Sequence, residues 1–405
     1  MEKKKRKLFG HREKPEHPTT EKNAISLEAF VFLGVFILIF GLLGSKMGMI
    51  NLLNTMIKTA FDLLINTVLY IMGIAVLAGA LGALLTEFGV VSLINKLLSP
   101  LMGILYGLPG AASIGVVTTY LSDNPAILTL ADDASFRRYF RRYQLPALTN
   151  LGTAFGMGAI ITAFMLGLQL TGNVSGNFGV AVLVGNLGAV VGSIVSTRLM
   201  LRFTKKVFGT EAWCEGAEGA NHADLNKRTV RSGSIGNRVL GALMDGGTSG
   251  VKMGFEIIPG VLLICTFVLI LTEGPSDAGT YTGSAYEGVA ALPWLGEKLS
   301  FILKPLFGFT SAECVSVPIT ALGAAGAAIG LVPGLLETGM ASAHDVAVFT
   351  AMCMCWSGFL STHLAMMNSL KCSYLTGNAI ASHAIGGLCA GVFANWAYTL
   401  ISMLL

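Results

Sequence analysis

The hydrophobic residues of this chain form seven long stretches separated by more polar segments. Each stretch approaches the length of about 20 apolar residues that an α-helix needs to cross a lipid bilayer. We therefore predict an all-α polytopic membrane protein. The seven predicted spanning helices lie at about 27–44, 63–86, 145–170, 177–201, 255–273, 345–367 and 379–404.

Two further apolar regions, at about 96–132 and 300–336, do not have this continuous character. Glycine, proline and polar residues interrupt them too often for an unbroken helix. At membrane depth, irregular backbone is tolerated only where it is buried in protein or lines a cavity. We therefore predict that each region folds as a re-entrant helical hairpin.

The two interrupted regions also resemble each other in sequence. LLSPLMGILYGLPGAAS around Pro100 and ILKPLFGFTSAECVSVP around Pro305 align a proline, a leucine and a glycine, so that Gly103 matches Gly308. A second match pairs AFDLL, which begins at Ala60, with the related string GFEII in the second half. These matches predict a duplication in which each copy contains one hairpin.

Basic residues indicate how the chain is oriented in the membrane. Eight Lys and Arg lie in the first 22 residues, and others cluster at Arg137, Arg138, Arg141 and Arg142 and between residues 202 and 238. The loop at 274–288 has acidic residues but no Lys or Arg. By the positive-inside rule, the N-terminus and the basic loops are cytoplasmic. The two copies then enter the membrane from opposite faces, which predicts an inverted-topology repeat.

These patterns divide the chain into five predicted parts. They are a basic cytoplasmic arm (1–24), an N-terminal anchor helix and loop (25–58), a first repeat (59–204), a cytoplasmic linker (205–250) and a second repeat (251–405). Asp62 and Glu256 are expected at the starts of apolar helices, where a carboxylate complements the helix dipole.

Composition supports an integral membrane protein and narrows its function. The chain has 405 residues, 53% of them hydrophobic and 12% charged, with a mean hydropathy of +0.68. Its seven cysteines show no CxxC spacing, and no nucleophile elbow, Walker loop or HExxH motif occurs. We therefore expect neither an enzyme nor a bound cofactor, and these residues leave open whether a metal binds. The arginine cluster is interpreted as an orientation and lipid-headgroup signal, so no nucleic-acid partner is expected.

The first interrupted region supplies polar side chains at Ser122, Asp123 and Asn124, directly before a proline. Their oxygens suit a cation or a hydroxyl-rich solute, although an ordinary helix N-cap explains the same residues equally well. Asn150 and Thr153, three apart on the following helix, are expected to line the same site.

The second interrupted region supplies Thr310, Ser311, Glu313 and Ser316. A carboxylate at membrane depth is costly unless it is paired or hydrated, so Glu313 is the first candidate for function. The alternative is a capping or interfacial role at the outer end of the hairpin. In the helix after this hairpin, Ser357 belongs to a polar stripe, whereas His363 lies off the stripe and is interpreted as a proton relay or as a hydrogen-bonding partner of a neighbouring helix.

The segments SPLMGILYGLPGAAS and KPLFGFTSAECVSVP, each followed by a small-residue hairpin and a polar-faced helix, resemble the nucleoside-recognition, or Gate, domain family of bacterial membrane proteins. The likeness covers about 60–405. This family includes the spore-maturation membrane proteins, and its domain resembles half of the concentrative nucleoside transporters. In those transporters, hairpin motifs with carboxylates bind nucleoside and sodium. Glu313 with Ser311 and Ser316 looks like the second motif, whereas SDNP at Ser122–Pro125 departs from the first.

Together, these features predict a multi-pass secondary transporter of the bacterial inner membrane. Its partners would be the lipid bilayer and a small polar solute, such as a nucleoside or related metabolite, and transport would be coupled to Na+ or H+. Homo-oligomerisation is left open. The rival hypothesis is a non-transporting membrane scaffold or assembly factor of the spore-maturation type.

Overall fold

The structure is a computed structural model that describes residues 23–132, 134–137, 139–170, 176–214, 230–276 and 278–404. The described residues contain helices and one isolated bridge between Arg141 and Trp213, and no strand. The all-α prediction is therefore confirmed. Residues 1–22 of the predicted arm, Arg138 and residues 215–229 of the predicted linker lie outside the described residues.

Seven helical segments in the described residues are long and apolar enough to cross a membrane. Each corresponds to one of the predicted spans, which confirms a multi-pass membrane protein. The segments are Leu27–Met47, Met49–Glu87, Ala147–Gly167, Phe178–Phe208, Ile235–Thr272, Ala343–Ser369 and Ser373–Ser402.

Two of these segments are much longer than the sequence suggested. Met49–Glu87 has 39 residues and Ile235–Thr272 has 38, so each extends about 57 Å at 1.5 Å per residue, well beyond the hydrocarbon core. Each stays continuous through a turn of π-helix, at Leu63–Val68 and Val261–Cys265.

These long helices correct three expectations. Residues 49–58 are helical instead of forming a loop, and the helix from Ile235 occupies the last third of the predicted linker. Asp62 and Glu256 lie inside continuous helices, so the prediction that they cap helix starts is wrong. Asp62 instead accepts a hydrogen bond of 2.8 Å from the side chain of Asn66, one turn later.

The two interrupted regions consist of short helices, as predicted. A bend of 76° separates Ser300–Phe307 from Ala312–Ala321. We refer to residues 122–124 as the first turn and to residues 322–324 as the second turn. The short helices of the first region are Val90–Leu101, Met102–Tyr106, Ala112–Leu121, Pro125–Asp132 and Ala134–Arg137, and those of the second are Ala291–Lys298, Ser300–Phe307, Ala312–Val315, Ser316–Ala321, Ala325–Gly330 and Val332–Glu337.

Glycine, and not proline, ends the matched helices of these regions. Pro100 and Pro305 both lie inside helices. The helical path ends at Gly107 in the first region, where φ is 70°, and at Gly308 in the second, where φ is 63°. Only glycine adopts this left-handed conformation without strain. The structural counterpart of Gly308 is therefore Gly107, four residues beyond the Gly103 of the sequence match.

The carbonyls at these two helix ends are bound in equivalent ways. In the first region, Arg198 Nε donates to the Leu105 carbonyl oxygen at 2.8 Å. In the second, Asn395 Nδ2 donates to the Leu306 carbonyl oxygen at 3.0 Å. Both donors lie on the last long helix of their half, so the two halves share an order of elements and a supporting contact. Their opposite orientation in a membrane stays a prediction.

Close glycine contacts build the two main helix pairs. A Cβ atom on Gly192 would lie 2.6 Å from the Gly386 carbonyl oxygen, and one on Gly386 would lie 2.6 Å from the Gly192 carbonyl oxygen. The same holds for Gly79, where a Cβ would lie 2.5 Å from the Gly246 carbonyl oxygen. Such small residues let helix backbones pack closely where lipid gives little hydrophobic driving force.

At one end of the Gly79 pair, a buried carboxylate ties the helices together. Glu87 is only 3% exposed and accepts from Arg231 Nη1 at 2.8 Å and from Arg238 Nε at 2.7 Å. Arg231 also pairs with Asp245 at 2.7 Å.

The first helix, Leu27–Met47, does not pack into the protein as the other long helices do. Nearly all its side chains are exposed, as expected for a helix that faces lipid.

Candidate functional site

Two spanning segments are broken near their middles, and the site is built around these breaks. Ala147–Gly167 is interrupted at residues 154–157, the first break, where Met157 has φ of 55°. Ala343–Ser369 is interrupted at Ser357 and Gly358, the second break, where φ is 34° and 65°. Positive φ is uncommon for residues other than glycine. Each break also frees backbone N–H and C=O groups that need other partners.

Three elements supply the partners of the second break. Asn124 Nδ2, from the first turn, donates to the Ser357 carbonyl oxygen at 2.6 Å. The Gly358 N–H donates to the Ala321 carbonyl oxygen at 2.9 Å, directly before the second turn. His383, on the last long helix, donates from Nε2 to the Cys355 carbonyl oxygen at 2.6 Å. The break therefore has a defined geometry that depends on both interrupted regions.

Two buried oxygen atoms at this junction have no hydrogen-bond partner among the described residues: Asn124 Oδ1 and Ser357 Oγ. The side chain of Asn124 uses its amide hydrogens on the Ser357 carbonyl and on Thr362 Oγ1, the latter at 3.3 Å. Asn124 is 3% exposed and Ser357 is 5% exposed. A buried polar atom left unpaired costs about 1–3 kcal/mol. A solute donor or a cation at this position would remove that cost.

Gly156, in the first break, brings the other broken segment to the same place. A Cβ atom at this position would overlap Asn124 Oδ1 and lie 2.6 Å from Ser357 Oγ. Only glycine can be accommodated at this position. Gly358 is similarly close to the second turn, because a Cβ there would lie 2.9 Å from the Gly323 carbonyl oxygen. Both turns and both breaks therefore meet at one place inside the protein.

The other residues predicted on the first side of the site have distinct positions. Asp123 accepts a 2.7 Å hydrogen bond from the Asn124 N–H, which orders the first turn. Ser122 is exposed at the end of its helix. Asn150 is fully buried and donates to Ser196 Oγ at 2.9 Å, whereas Thr153 is buried with its hydroxyl unpaired.

The residues predicted on the second side gather around Asp345 instead. The Thr310 N–H donates to Asp345 Oδ1 at 2.9 Å, and the Thr310 hydroxyl donates to Asp345 Oδ2. Ser342 also donates to this fully buried carboxylate, from its N–H at 2.9 Å and from its hydroxyl at 2.7 Å. Asp345 therefore joins the start of helix Ala343–Trp356 to the second interrupted region.

Glu313 and its neighbours lie beside this group. Ser311 and Glu313 line a cavity of about 400 Å3 that also contains Glu297 and Lys304. Ser316 donates to the Glu313 carbonyl oxygen at 2.6 Å. None of these side chains makes a hydrogen bond with Asn124 or Ser357 in the part of the chain that the structure describes.

Helix Ala343–Trp356 separates the two groups of predicted residues. Its 14 residues correspond to about 20 Å at 1.5 Å per residue. Asp345 lies at its start and Ser357 directly follows its end. The structure therefore brings Asn124 and Ser357 together and places Glu313 elsewhere, whereas sequence reasoning expected Asp123 and Glu313 to meet.

A larger cavity of about 540 Å3 lies between the halves. In the described ranges, its lining includes three carboxylates, from Asp62, Glu273 and Glu337, and no Lys, Arg or His. Ser316 also lines it, which connects the second predicted group with this cavity. Polar residues from the π-helical turn of Met49–Glu87 complete the wall, including Asn66 and Thr67.

Sequence reasoning missed two residues at the junction, Gly156 and His383. A glycine inside an apolar helical pattern is a signal for a break or a close approach, and Gly156 gave that signal. A histidine in a spanning helix likewise marks a polar contact. The centroid of the His383 ring lies 4.5 Å from that of His363, with the rings tilted by 49°, and Nδ1 of His383 accepts from Ser196 Oγ at 2.9 Å. Nothing in the local sequence shows that its partner is the Cys355 carbonyl.

No family model matches the chain, and no curated protein is similar to it in sequence. Solved structures of the transporter CNTnw are similar to it in fold. The inward-facing, substrate-bound structure covers 91% of this chain and 84% of its own, with 14% identity and a TM-score of 0.50. A variant in an intermediate state covers 91% and 83%, with 16% identity and a TM-score of 0.53.

The chain has the fold of a concentrative nucleoside transporter. A double variant of CNTnw in an outward-facing state is similar to the same degree, with 14% identity and a TM-score of 0.52. At these identities the similarity establishes the fold and not the solute. The relation to the Gate family and the spore-maturation proteins stays a prediction.

Proposed function

We propose that this protein is a secondary transporter of the bacterial inner membrane that moves a small polar solute, a nucleoside or a related metabolite, coupled to a cation. The observation that carries the proposal is the pair of buried, unpaired oxygens, Asn124 Oδ1 and Ser357 Oγ, where both turns meet both breaks. Helices that are broken around a central site are how secondary transporters build their binding sites.

The chemistry of these two atoms indicates what binds. Asn124 Oδ1 is an amide oxygen and can only accept a hydrogen bond, and both hydrogens of the same amide group are already engaged. Ser357 Oγ can accept or donate. Asn124 Oδ1 lacks a hydrogen-bond donor and lies beside the Ser357 hydroxyl. This arrangement suits the hydroxyl or amino group of a nucleoside-like solute. It suits a coupling Na+ equally well. A coupling H+ would need a titratable group, and Asp123 in the first turn is the nearest carboxyl along the chain.

We further propose that the interrupted regions are re-entrant hairpins of an inverted repeat, with the N-terminus in the cytoplasm. Under this proposal, the first and second turns lie near the membrane midplane. The 540 Å3 cavity that contains Asp62 and Glu273 is the route by which solute reaches them. Ser316 lines that route, whereas Thr310, Ser311 and Glu313 line the separate cavity of about 400 Å3. Asn150 and Thr153 support the first break from behind.

Uptake into proteoliposomes tests the proposal. We expect the purified protein to accumulate labelled uridine or adenosine when a sodium or proton gradient is imposed, and to lose the accumulation when the gradient is collapsed. Asn124→Ala should reduce uptake by at least tenfold, because it leaves the Ser357 carbonyl unpaired at a cost of about 1–3 kcal/mol. Asn237→Ala, at an exposed helix start, is the control.

The rival function is a non-transporting scaffold or assembly factor, which the separation of Glu313 from Asn124 favours. A scaffold needs no shared site for the two interrupted regions. If the wild-type protein accumulates no nucleoside under either gradient, and no nucleoside raises its melting temperature, the transport proposal is wrong and the scaffold is favoured.

A further inference from the structure

A second cavity, of about 390 Å3, carries positive charge. Its lining includes Arg137, Arg142 and Lys371, together with Tyr374, and no Asp or Glu among the residues that the structure describes. It lies where elements of both halves end: the short helix Ala134–Arg137, the last residue of Phe178–Phe208 and the turn before helix Thr376–Ser402. The volume falls within the range of small-ligand sites.

Within the described part of the chain, the three cations have no counter-charge. None of them forms a salt bridge or a side-chain hydrogen bond with another described residue. Glu211 forms its salt bridge with Arg141, at 3.6 Å, and not with any of these three cations. Three unpaired like charges around one cavity repel one another, so a bound anion would stabilise this part of the fold.

Backbone contacts hold Arg142 toward the cavity. The Arg142 N–H donates to the Ala212 carbonyl oxygen at 2.9 Å, and the Cys214 N–H donates to the Phe140 carbonyl oxygen at 3.1 Å. In such extended pairing, successive side chains point to opposite sides. Arg141 accordingly lies over the Trp213 ring, 5.1 Å from its centroid, whereas Arg142 lines the cavity.

Lys371 is placed by the turn that follows helix Phe359–Ser369. Its φ of 56° is left-handed, and its N–H donates to the Asn368 carbonyl oxygen at 3.0 Å. The next N–H, of Cys372, donates to the Met367 carbonyl oxygen at 2.8 Å. These bonds close the helix end and fix the position from which Lys371 reaches the cavity.

We propose that this cavity binds a phosphate group, carried either by an anionic phospholipid or by a free phosphate compound. Arginine side chains match phosphate oxygens in pairs of hydrogen bonds, and lysine adds a point charge. Basic pockets between transmembrane helices are known binding sites for lipid headgroups. Apolar wall residues, Leu145 and Phe208, are placed to contact an acyl chain. The proposal does not depend on transport.

The test uses the full-length protein in nanodiscs and measures its melting temperature. Two probes separate the sources of phosphate: phosphatidylglycerol mixed into phosphatidylcholine nanodiscs, and inorganic phosphate added to pure phosphatidylcholine nanodiscs at constant ionic strength. Arg142→Gln with Lys371→Gln removes two of the cavity cations. Arg202→Gln with Lys206→Gln removes the same charge from exposed positions on helix Phe178–Phe208 that do not line the cavity.

We expect at least one probe to raise the melting temperature of the wild type and of the control variant. The cavity variant should bind that probe about 30-fold more weakly, since each basic residue contributes about 1 kcal/mol. A response to phosphatidylglycerol identifies a lipid headgroup, and a response to inorganic phosphate identifies a free phosphate compound. If neither probe stabilises the wild type, or if both double variants respond equally, the proposal is wrong. Equal melting temperatures without probe show that the variants are folded.

Discussion

Asn124 Nδ2 donates a 2.6 Å hydrogen bond to the carbonyl oxygen of Ser357, a residue 233 positions later in the chain. One bond thus joins the turn of the first interrupted region to the broken helix of the second half. It also leaves Asn124 Oδ1 and Ser357 Oγ, both buried, without partners. A site whose walls come from two halves of a chain can respond to their relative movement, as alternating access requires.

Gly156→Ala should close this site. The added methyl group would overlap Asn124 Oδ1 and crowd Ser357 Oγ, and such overpacking costs about 1–3 kcal/mol. We expect nucleoside uptake to fall at least tenfold. Gly73→Ala, where the added methyl meets open space, is the control and should leave uptake unchanged. Equal uptake by the two variants would show that the space beside Asn124 is not used by solute or cation.

His383 should contribute more to stability than His363, although both are fully buried. His383 joins helices through the Cys355 carbonyl and Ser196, whereas the one described partner of His363 Nδ1 is the Phe359 carbonyl of its own helix. Replacing each by alanine removes the same volume. The difference in unfolding free energy therefore measures the contacts between helices, for which we expect about 1 kcal/mol.

His383→Gln tests the donor itself. Glutamine can place an amide N–H near the position of Nε2, so this variant should recover part of the stability that His383→Ala loses. The measurement is the melting temperature in detergent. Equal melting temperatures for His383→Ala and His363→Ala would mean that the bond to Cys355 does not hold the second break.

Much of this fold could be predicted because hydropathy is a local property. All seven spans follow from runs of apolar residues, which any segment carries by itself. The length of the helix Met49–Glu87 is underestimated because its first turns contain Asn51, Asn54 and Lys58, which resemble a loop when read locally.

The site is harder to predict than the fold, because it depends on distances between segments. Asn124 was identified as a candidate, but its contact with the backbone of Ser357 has no signature in either local sequence.

The position of Glu313 shows the same limit. Its charge made it the first candidate, but helix Ser316–Ala321 lies between it and the second turn. Because of this separation, we expect Glu313→Gln to change the affinity for solute by less than threefold, while Asn124→Ala reduces it by at least tenfold. Nucleoside titrations followed by the melting temperature compare the two variants. A larger effect of Glu313→Gln would move the site to the cavity beside Lys304.

Glu287 predicts a pH-dependent contribution to stability, in a loop outside the spanning helices. Burial alone would raise the pKa of Glu287, but hydrogen bonds from Thr282 and Gly283 outweigh it, so the pKa lies below its ordinary value. The charged form is therefore favoured by folding. A carboxyl group with a depressed pKa stabilises the fold above its unfolded pKa of about 4.3 and loses this effect as the pH falls through the folded value.

Glu287→Gln should accordingly lower the melting temperature at pH 7 by several degrees, and the difference from the wild type should shrink as the pH falls below about 4. Glu297→Gln, at an exposed position on helix Ala291–Lys298, is the control and should show little difference at either pH. A difference for Glu287→Gln that stays constant with pH would mean that shape, and not charge, explains the effect. The loop, which forms hydrogen bonds with Asn51 and Thr59, would then not depend on the charge of Glu287.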